Sequence, residues 1–485
     1  QDVAGGGYNH WATAGFFGRL NYNYKEKYLL EVNGRYDGTS RFMKDQRWNF
    51  FPSFSLGWNV ARENFWKPLE SVVNQFKLRG SWGELGNQNT SNLYPFYEIL
   101  PVKSNSGNWL VNGGKTNTAD IPSLVSTLLT WERVRSFNVG FDFGAFSNRL
   151  TGSFDYFVRK TVDMVGPAPQ LPLVLGIAPA IVNNADMKSY GFEIELSWRD
   201  RIGEVDYGVK FNLADAQQKV VKYPNTTNAF NDWYAGKMSG EIWGYTSLGI
   251  AKTDEEMKEH LASLPNGGQN QLGNKWGAGD IMYADINGDG KVDGGKGTLA
   301  DPGDQRIIGN STPRYNFGLV LDASYKGFDV SIFFQGVGKR DYAPIVGTNG
   351  AVFWGAVNNI WQSMAMEEHF DYFRPEGHPM GANLNGYYPR PDFTSNKNHQ
   401  VQTRYLQDAS YIRLKNLQIG YTLPKQWINK LHINRCRVYV SGDNLWTGTS
   451  LASMFDPETL AAGDWGSGKT YPLSKVISFG LNVNF

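Results

Sequence analysis

Apolar and polar residues alternate along most of the chain with a period of two, the spacing that puts successive side chains on opposite faces of a β-strand. In YGFEIELSW, Tyr190, Phe192, Ile194, Leu196 and Trp198 share one face, and Gly191, Glu193, Glu195 and Ser197 share the other. In FNVGFDFG, Phe137, Val139, Phe141 and Phe143 oppose Asn138, Gly140 and Asp142. KYLLEVNGRY, VDYGVKFNL, YNFGLVLDASY, FDVSIFF and the final ISFGLNVNF divide in the same way. Short connections at Tyr24–Lys27, Asp200–Glu204 and Lys326–Gly327 predict consecutive antiparallel hairpins. Roughly thirteen strands are expected, many about nine to twelve residues long, against the usual five or six. In YIRLKNLQIGYTLP the apolar parity changes between Leu414 and Leu417, which predicts a β-bulge near Lys415 and Asn416.

Between these runs lie four long irregular segments, 86–130, 164–187, 223–310 and 338–409, rich in Gly, Asn, Pro and Trp. Tight turns alternating with very long loops are the habit of outer-membrane barrels. One loop carries a predicted helix over 253–264, where Thr253 and Glu256 form a capping box and PNGG ends the run.

The composition narrows the choice. Aromatic residues make up 14% of the 485, and 55 are Gly, a mixture suited to many strands joined by turns. A net charge of +1 gives no electrostatic case for nucleic acid. The single cysteine, Cys436, excludes an intrachain disulfide and any cysteine-based metal cluster. No run of about eighteen apolar residues is present, so no membrane-spanning helix is expected. The first residues, QDVAGGGYNH, lack the charged start and apolar centre of a signal peptide. What remains is a soluble sheet wetted on one side, or a membrane barrel whose strands average out as polar. The mean hydropathy of −0.43 is compatible with both.

Three motifs carry candidate chemistry. Gly463–Thr470, GDWGSGKT, fits the phosphate-loop pattern, but no buried strand precedes it and no helix follows, so a surface loop and no nucleotide are expected. YADINGDGKVD places Asp285, Asn287, Asp289 and Asp293 at positions 1, 3, 5 and 9 of an EF-hand-like loop. Gly290 falls at the tight turn and the Lys291 carbonyl at position 7, so these hard oxygens point to a structural calcium. At position 12 stands Lys296, within an insertion, and Asp301 or Asp304 would supply the missing carboxylate. The alternative is an Asx-and-glycine turn without metal. Glu193 and Glu195, two apart on one strand face, superficially resemble a glycosidase pair but read as the lining of a barrel lumen. With scattered histidines and neither H-E-x-x-H nor G-x-S-x-G, no enzyme is expected.

Several ordered blocks together resemble the SusC-like (RagA/SusC-type) TonB-dependent outer-membrane transporters. They are GFFGRLNYNYKEKYLLEVNGRYDGTSRF, FPSFSLGWNVARENF, FKLRGSWGELGNQN, GDIMYADINGDGKVD with DQRIIGNSTPRYNFGL, ASYIRLKNLQIGYTLP, RVYVSGDNLW and YPLSKVISFGLNVNF. The resemblance implies an all-β fold: an antiparallel transmembrane β-barrel of twenty-two strands around an N-terminal plug. This chain is similar to the C-terminal part alone, without the plug, the first strands or the TonB-contacting segment. Phe485, with Val483, Leu481 and Phe479 on the same face, resembles the signal by which outer-membrane barrels are assembled. In the family a D-D-R-like element soon follows the acidic loop, which makes Asp304 in DQR the preferred twelfth-position substitute.

What the resemblance implies for function is active import of a large nutrient, an oligosaccharide or a peptide, across the outer membrane. Energy would come from the TonB complex, and a SusD-like lipoprotein would lid the extracellular face. Trp109, Trp233, Trp276 and Trp354 are candidates for substrate or lid contact, since aromatic faces stack on sugars and anchor interfaces. The competing classes are a secreted glycan-binding protein or hydrolase and a passive porin.

Overall fold

The computed structural model describes residues 8–90, 92–166, 172, 174, 176–177, 179–344, 351–355, 365–392, 397–429, 432–460 and 470–485. Thirteen long strands form one antiparallel sheet whose order follows the chain without a crossover. They are β1 (Thr13–Tyr24), β2 (Tyr28–Thr39), β3 (Trp48–Asn59), β4 (Val73–Asn87), β5 (Glu132–Ala145), β6 (Leu150–Val165) and β7 (Asn183–Ile202), followed by β8 (Val205–Lys222), β9 (Arg314–Tyr325), β10 (Phe328–Lys339), β11 (Tyr411–Thr422), β12 (Arg435–Thr449) and β13 (Val476–Asn484). The expected number holds. Several strands are longer than expected, with β7 reaching 20 residues. The chain divides into two compact units, residues 1–193 with 216–238 and residues 194–215 with 239–485.

In the first unit the pairing register carries the alternation from strand to strand. Leu20, Val32, Phe54, Trp82, Phe137 and Val158 stand side by side across β1 to β6. One residue along, Asn21, Glu31, Ser55, Ser81 and Asn138 form the matching polar row. The second unit repeats the arrangement. Val209, Leu321, Ile332, Leu417, Gly442 and Ile477 make one row, and Gly208, Asp322, Ser331, Gln418, Ser441 and Ser478 make its polar neighbour. A one-residue slip anywhere would exchange the faces, so the two-residue period itself fixes the register.

The turns follow their chemistry. Between β9 and β10, Lys326 and Gly327 both take positive φ, the backbone of a type I′ turn that matches strand twist. The predicted bulge is present, with the register shifting between Leu414 and Asn416 against β12 and between Phe333 and Phe334 against β10. The four long connections lie between strands as expected, except that β7 already begins at Asn183, inside the segment 164–187 read as irregular.

The loops of the second unit fold together. They contain the helix α1 (Asp254–Ala262), whose Thr253 side chain accepts the Glu256 N–H at 3.1 Å. The Glu256 carboxylate reaches back to the Lys252 N–H at 2.6 Å. Short strand pairs, Glu241–Gly244 with Arg306–Asn310 and Ser247–Ile250 with Ile281–Tyr283, frame a buried core. Tyr245, Ile281, Tyr283, Val292, Phe353, Trp354, Tyr388, Tyr405 and Phe455 belong to it.

Candidate functional site

The faces of the sheet differ in kind. On the apolar face large side chains stand open, Leu56 at 63% and Phe479 at 81% of their full exposure. Exposed apolar area continuous over many strands is far beyond what a soluble monomer tolerates, and it calls for a hydrocarbon solvent. Among the described residues, no helix is long and apolar enough to cross a membrane.

Ion pairs tie the strands together on the polar face. Arg79 on β4 reaches Asp142 on β5 at 3.0 Å and Asp155 on β6 at 2.6 Å. Arg135 holds Glu84 at 2.7 Å on the other parity, that of Phe137 and Trp82, where β4 and β5 run out into their long connection. In the second unit Arg437 on β12 spans to Asp329 on β10 and also donates to the Gln418 side-chain carbonyl oxygen at 2.9 Å. Glu193 and Glu195 are exposed and lie opposite in parity to Trp198, whose indole N–H donates to the Tyr207 hydroxyl at 3.1 Å. Tyr207 begins the set that continues with Val209 on the apolar face, so both glutamates belong to the polar face.

The acidic loop is built from Asx turns. Asp285 accepts the N–H groups of Gly288 at 2.7 Å and Gly290 at 2.8 Å, one on each oxygen. Asn287 accepts Asp289 N–H at 3.0 Å, and Asp289 accepts Lys291 N–H at 3.2 Å. Asp304, fully buried, closes the loop by accepting Ile286 N–H at 2.7 Å and Asp293 N–H at 2.8 Å. The sequence assigned Asp304 to this loop, and the structure brings it there. The Lys291 ammonium pairs with Asp293 and holds its carboxyl below the usual carboxylate range, while the Lys291 pKa rises in return. Among the described residues no three acidic, histidine or cysteine groups converge as a metal would require. In this arrangement the oxygens accept backbone N–H groups, and the Lys291 ammonium supplies a local positive charge beside Asp293.

The four tryptophans part company. Trp109 is 60% exposed on a small hairpin, Leu110–Val111 with Gly114–Lys115. Trp233 is half-buried against Tyr223. Trp276 donates to the Gly273 carbonyl at 3.1 Å under the Lys397 ammonium, 5.0 Å from its ring. Trp354 is only 3% exposed, within the loop core. On β13, Phe479 and Leu481 are open and Val483 is half-buried beside Cys436, with Phe485 exposed just past the strand. The 463–469 part of GDWGSGKT lies outside the described residues.

Sequence reasoning missed the charged centre of the loop assembly. Asp280, fully buried, accepts from Arg390 at 2.7 and 2.8 Å, from Lys397 at 2.9 Å, from Asn398 at 2.9 Å and from Gly277 N–H at 2.9 Å. The hint was local: in GDIMYAD, Ile281 and Tyr283 alternate like a buried strand directly after this aspartate. A second clamp joins strand to loop, with Arg413 on β11 held by Asp456 and Glu458, each at 2.7 Å.

Comparison with known proteins agrees with this geometry. The description "TonB dependent receptor-like, beta-barrel" matches residues 4–445. TonB-dependent receptor P3 of Formosa agariphila is 30% identical over 98% of this chain and 46% of its own length. TonB-dependent receptor SusC of Bacteroides thetaiotaomicron is 24% identical over 97% of this chain and 43% of its own. The structure of the RagAB peptide transporter superposes with a TM-score of 0.75 at 23% identity, covering 98% of this chain and 48% of that one. The chain thus spans about half the length of the curated relatives it matches. Open apolar rows on one face, paired charges on the other and a match over nearly the whole chain have one reading: this is an outer-membrane protein of the TonB-dependent receptor β-barrel family.

Proposed function

We propose that the complete protein imports a large nutrient, an oligosaccharide or a peptide, using energy passed through TonB, and that this chain supplies barrel wall and extracellular loops. The observation that carries the reading is the two-faced sheet, one face suited to lipid and the other lined with paired charges. Glu193 and Glu195 then line the lumen, and Phe479, Leu481, Val483 and Phe485 serve assembly in the membrane. The role is that of a carrier, not an enzyme.

A SusD-like lipoprotein is the proposed lid. Its support is the loop after β4, where Tyr97, Ile99, Leu100, Val102, Trp109 and Leu110 are all exposed. Such a surface is expected of an interface. The experiment is uptake of labelled oligosaccharides and peptides by cells with the gene intact, with it deleted, and with TonB deleted. Loss of the same substrate in both deletions is expected, together with co-purification of a surface lipoprotein that weakens on Trp109→Ala. Uptake that survives without TonB contradicts the proposal and indicates a passive pore.

A further inference from the structure

Within the loop assembly of the second unit is a cavity of about 310 Å³ that the reading above does not use. Trp354, Tyr388 and His399, all buried, form part of its lining, which the more open Phe370 and Tyr372 share with His369 and Arg390. An apolar cavity of about 150 Å³ already accepts benzene, so this one has room for a substituted ring.

Polar groups around the cavity are mostly committed elsewhere. His369 accepts the Met366 N–H at 2.9 Å and turns its other nitrogen to the carbonyls of Val352 and Phe353, each at 3.1 Å. Arg390 is engaged by Asp280 and by the Lys275 carbonyl at 2.8 Å. The Tyr372 hydroxyl faces the Met380 sulfur at 3.8 Å. Two lining side chains are different. Among the described residues, the His399 Nδ1 and the Trp354 Nε1 are buried without a hydrogen-bond partner, and the two rings lie against each other at 4.5 Å.

These facts select a ligand class. A sugar ring brings a hydroxyl on most carbons and needs a polar partner for each, which this lining does not supply. An ion needs an uncompensated charge, and the two cations Arg390 and Lys397 are balanced by the two carboxylates Asp280 and Asp392. Aromatic walls with a single polar locus suit a flat, neutral ring with one heteroatom. We propose that this cavity binds an uncharged aromatic ring carrying one hydrogen-bonding group, of the phenol or indole type, with His399 and Trp354 as the polar locus. Burial lowers the His399 pKa to about 4, so its imidazole is neutral at neutral pH and has both a donor and an acceptor nitrogen.

Binding is independent of transport, so it is tested without it. The intact protein, purified from outer membranes in detergent, is mixed with p-cresol, N-acetyl-L-tyrosinamide or methyl β-glucoside, and saturation-transfer NMR is read on each probe. Ring protons of the two aromatic probes are expected to saturate and those of the glucoside are not. In the double variant Phe370→Ala/Tyr372→Ala the aromatic signal should fall at least several-fold, with the barrel's heat-modifiable gel mobility retained. His399→Phe should weaken p-cresol but leave toluene bound. A stronger response from the tyrosinamide identifies a peptide side chain as the source of the ring, and an equal one identifies a free phenol. No aromatic saturation, an equal glucoside signal, or an unchanged response in the rim variant overturns the proposal.

Discussion

The sheet and the loop assembly of the second unit draw on the same aromatic-rich vocabulary and dispose of it in opposite ways. On the sheet, Phe479 and Ile419 stand exposed, at 81% and 53% of their full area. In the loops, Tyr283, Tyr405 and Phe353 are sealed inside a core that also encloses the Asp280 ion cluster. The difference teaches that one chain is folded for two solvents. The strands need an apolar medium, and those between the edges β1 and β13 pair their backbone groups with a neighbour on each side. The loops stand in water and must bury their own apolar surface, as any soluble domain does.

The largest expected effect is in the loop core. Asp280→Ala leaves Lys397 and Arg390 without their shared carboxylate, and one-sided loss of a buried ion pair costs about 3–5 kcal/mol. Hydrogen exchange should show the loop amides opening while the β10–β12 ladder stays protected; equal loosening of both would erase the distinction between the regions. On the sheet, Leu56→Arg places a cation on the apolar face and should cost about 2–4 kcal/mol near mid-bilayer, while Ser55→Arg on the polar face should cost little. Refolding into lipid vesicles reads both, and similar costs would break the comparison.

Acid should also separate the regions. The folded pKa of His399 is about 4, below its ordinary value of 6.5, so its contribution is complete above 6.5 and is lost as pH falls toward 4. The loop core should lose up to about 3 kcal/mol over that window, read as rising protease sensitivity, and His399→Phe should flatten the profile. The smallest effect concerns the acidic loop. Asp304→Ala strips acceptors from the N–H groups of Ile286, Asn287 and Asp293, a loss of about 1–3 kcal/mol confined to that loop. Chelation alone should leave its proteolysis unchanged, because the Lys291 ammonium already sits against Asp293. Loosening by chelator would restore a bound calcium.

Much of the sheet was legible because its information is local. Two-residue alternation, tight turns and the parity change at Lys415 are read within a few positions, and register then follows from keeping one face apolar. The loop core was not legible, because its contacts are remote. The Tyr283 hydroxyl donates to the carbonyl of Lys397, 114 positions away, and Arg390 meets Asp280 across 110. Nothing in the local pattern around Trp354 separates a core residue from a surface one. The acidic loop shows a third case: its Asx-and-glycine spacing is local and Asp304 does reach the loop, whereas the contact of the Lys291 ammonium with Asp293 has no signature in the spacing.

The central claim is that the apolar face of the sheet meets lipid. Its most direct test is nitroxide scanning from Ser53 to Trp58 on β3, in the intact protein reconstituted in bilayers, with Cys436 and any cysteine elsewhere in that protein replaced by Ala as background. Labels at Phe54, Leu56 and Trp58 should be accessible to oxygen dissolved in the bilayer, and labels at Ser53, Ser55 and Gly57 should be shielded from it, giving a period of two. Accessibility that is uniform, or that alternates with the opposite parity, would contradict the account.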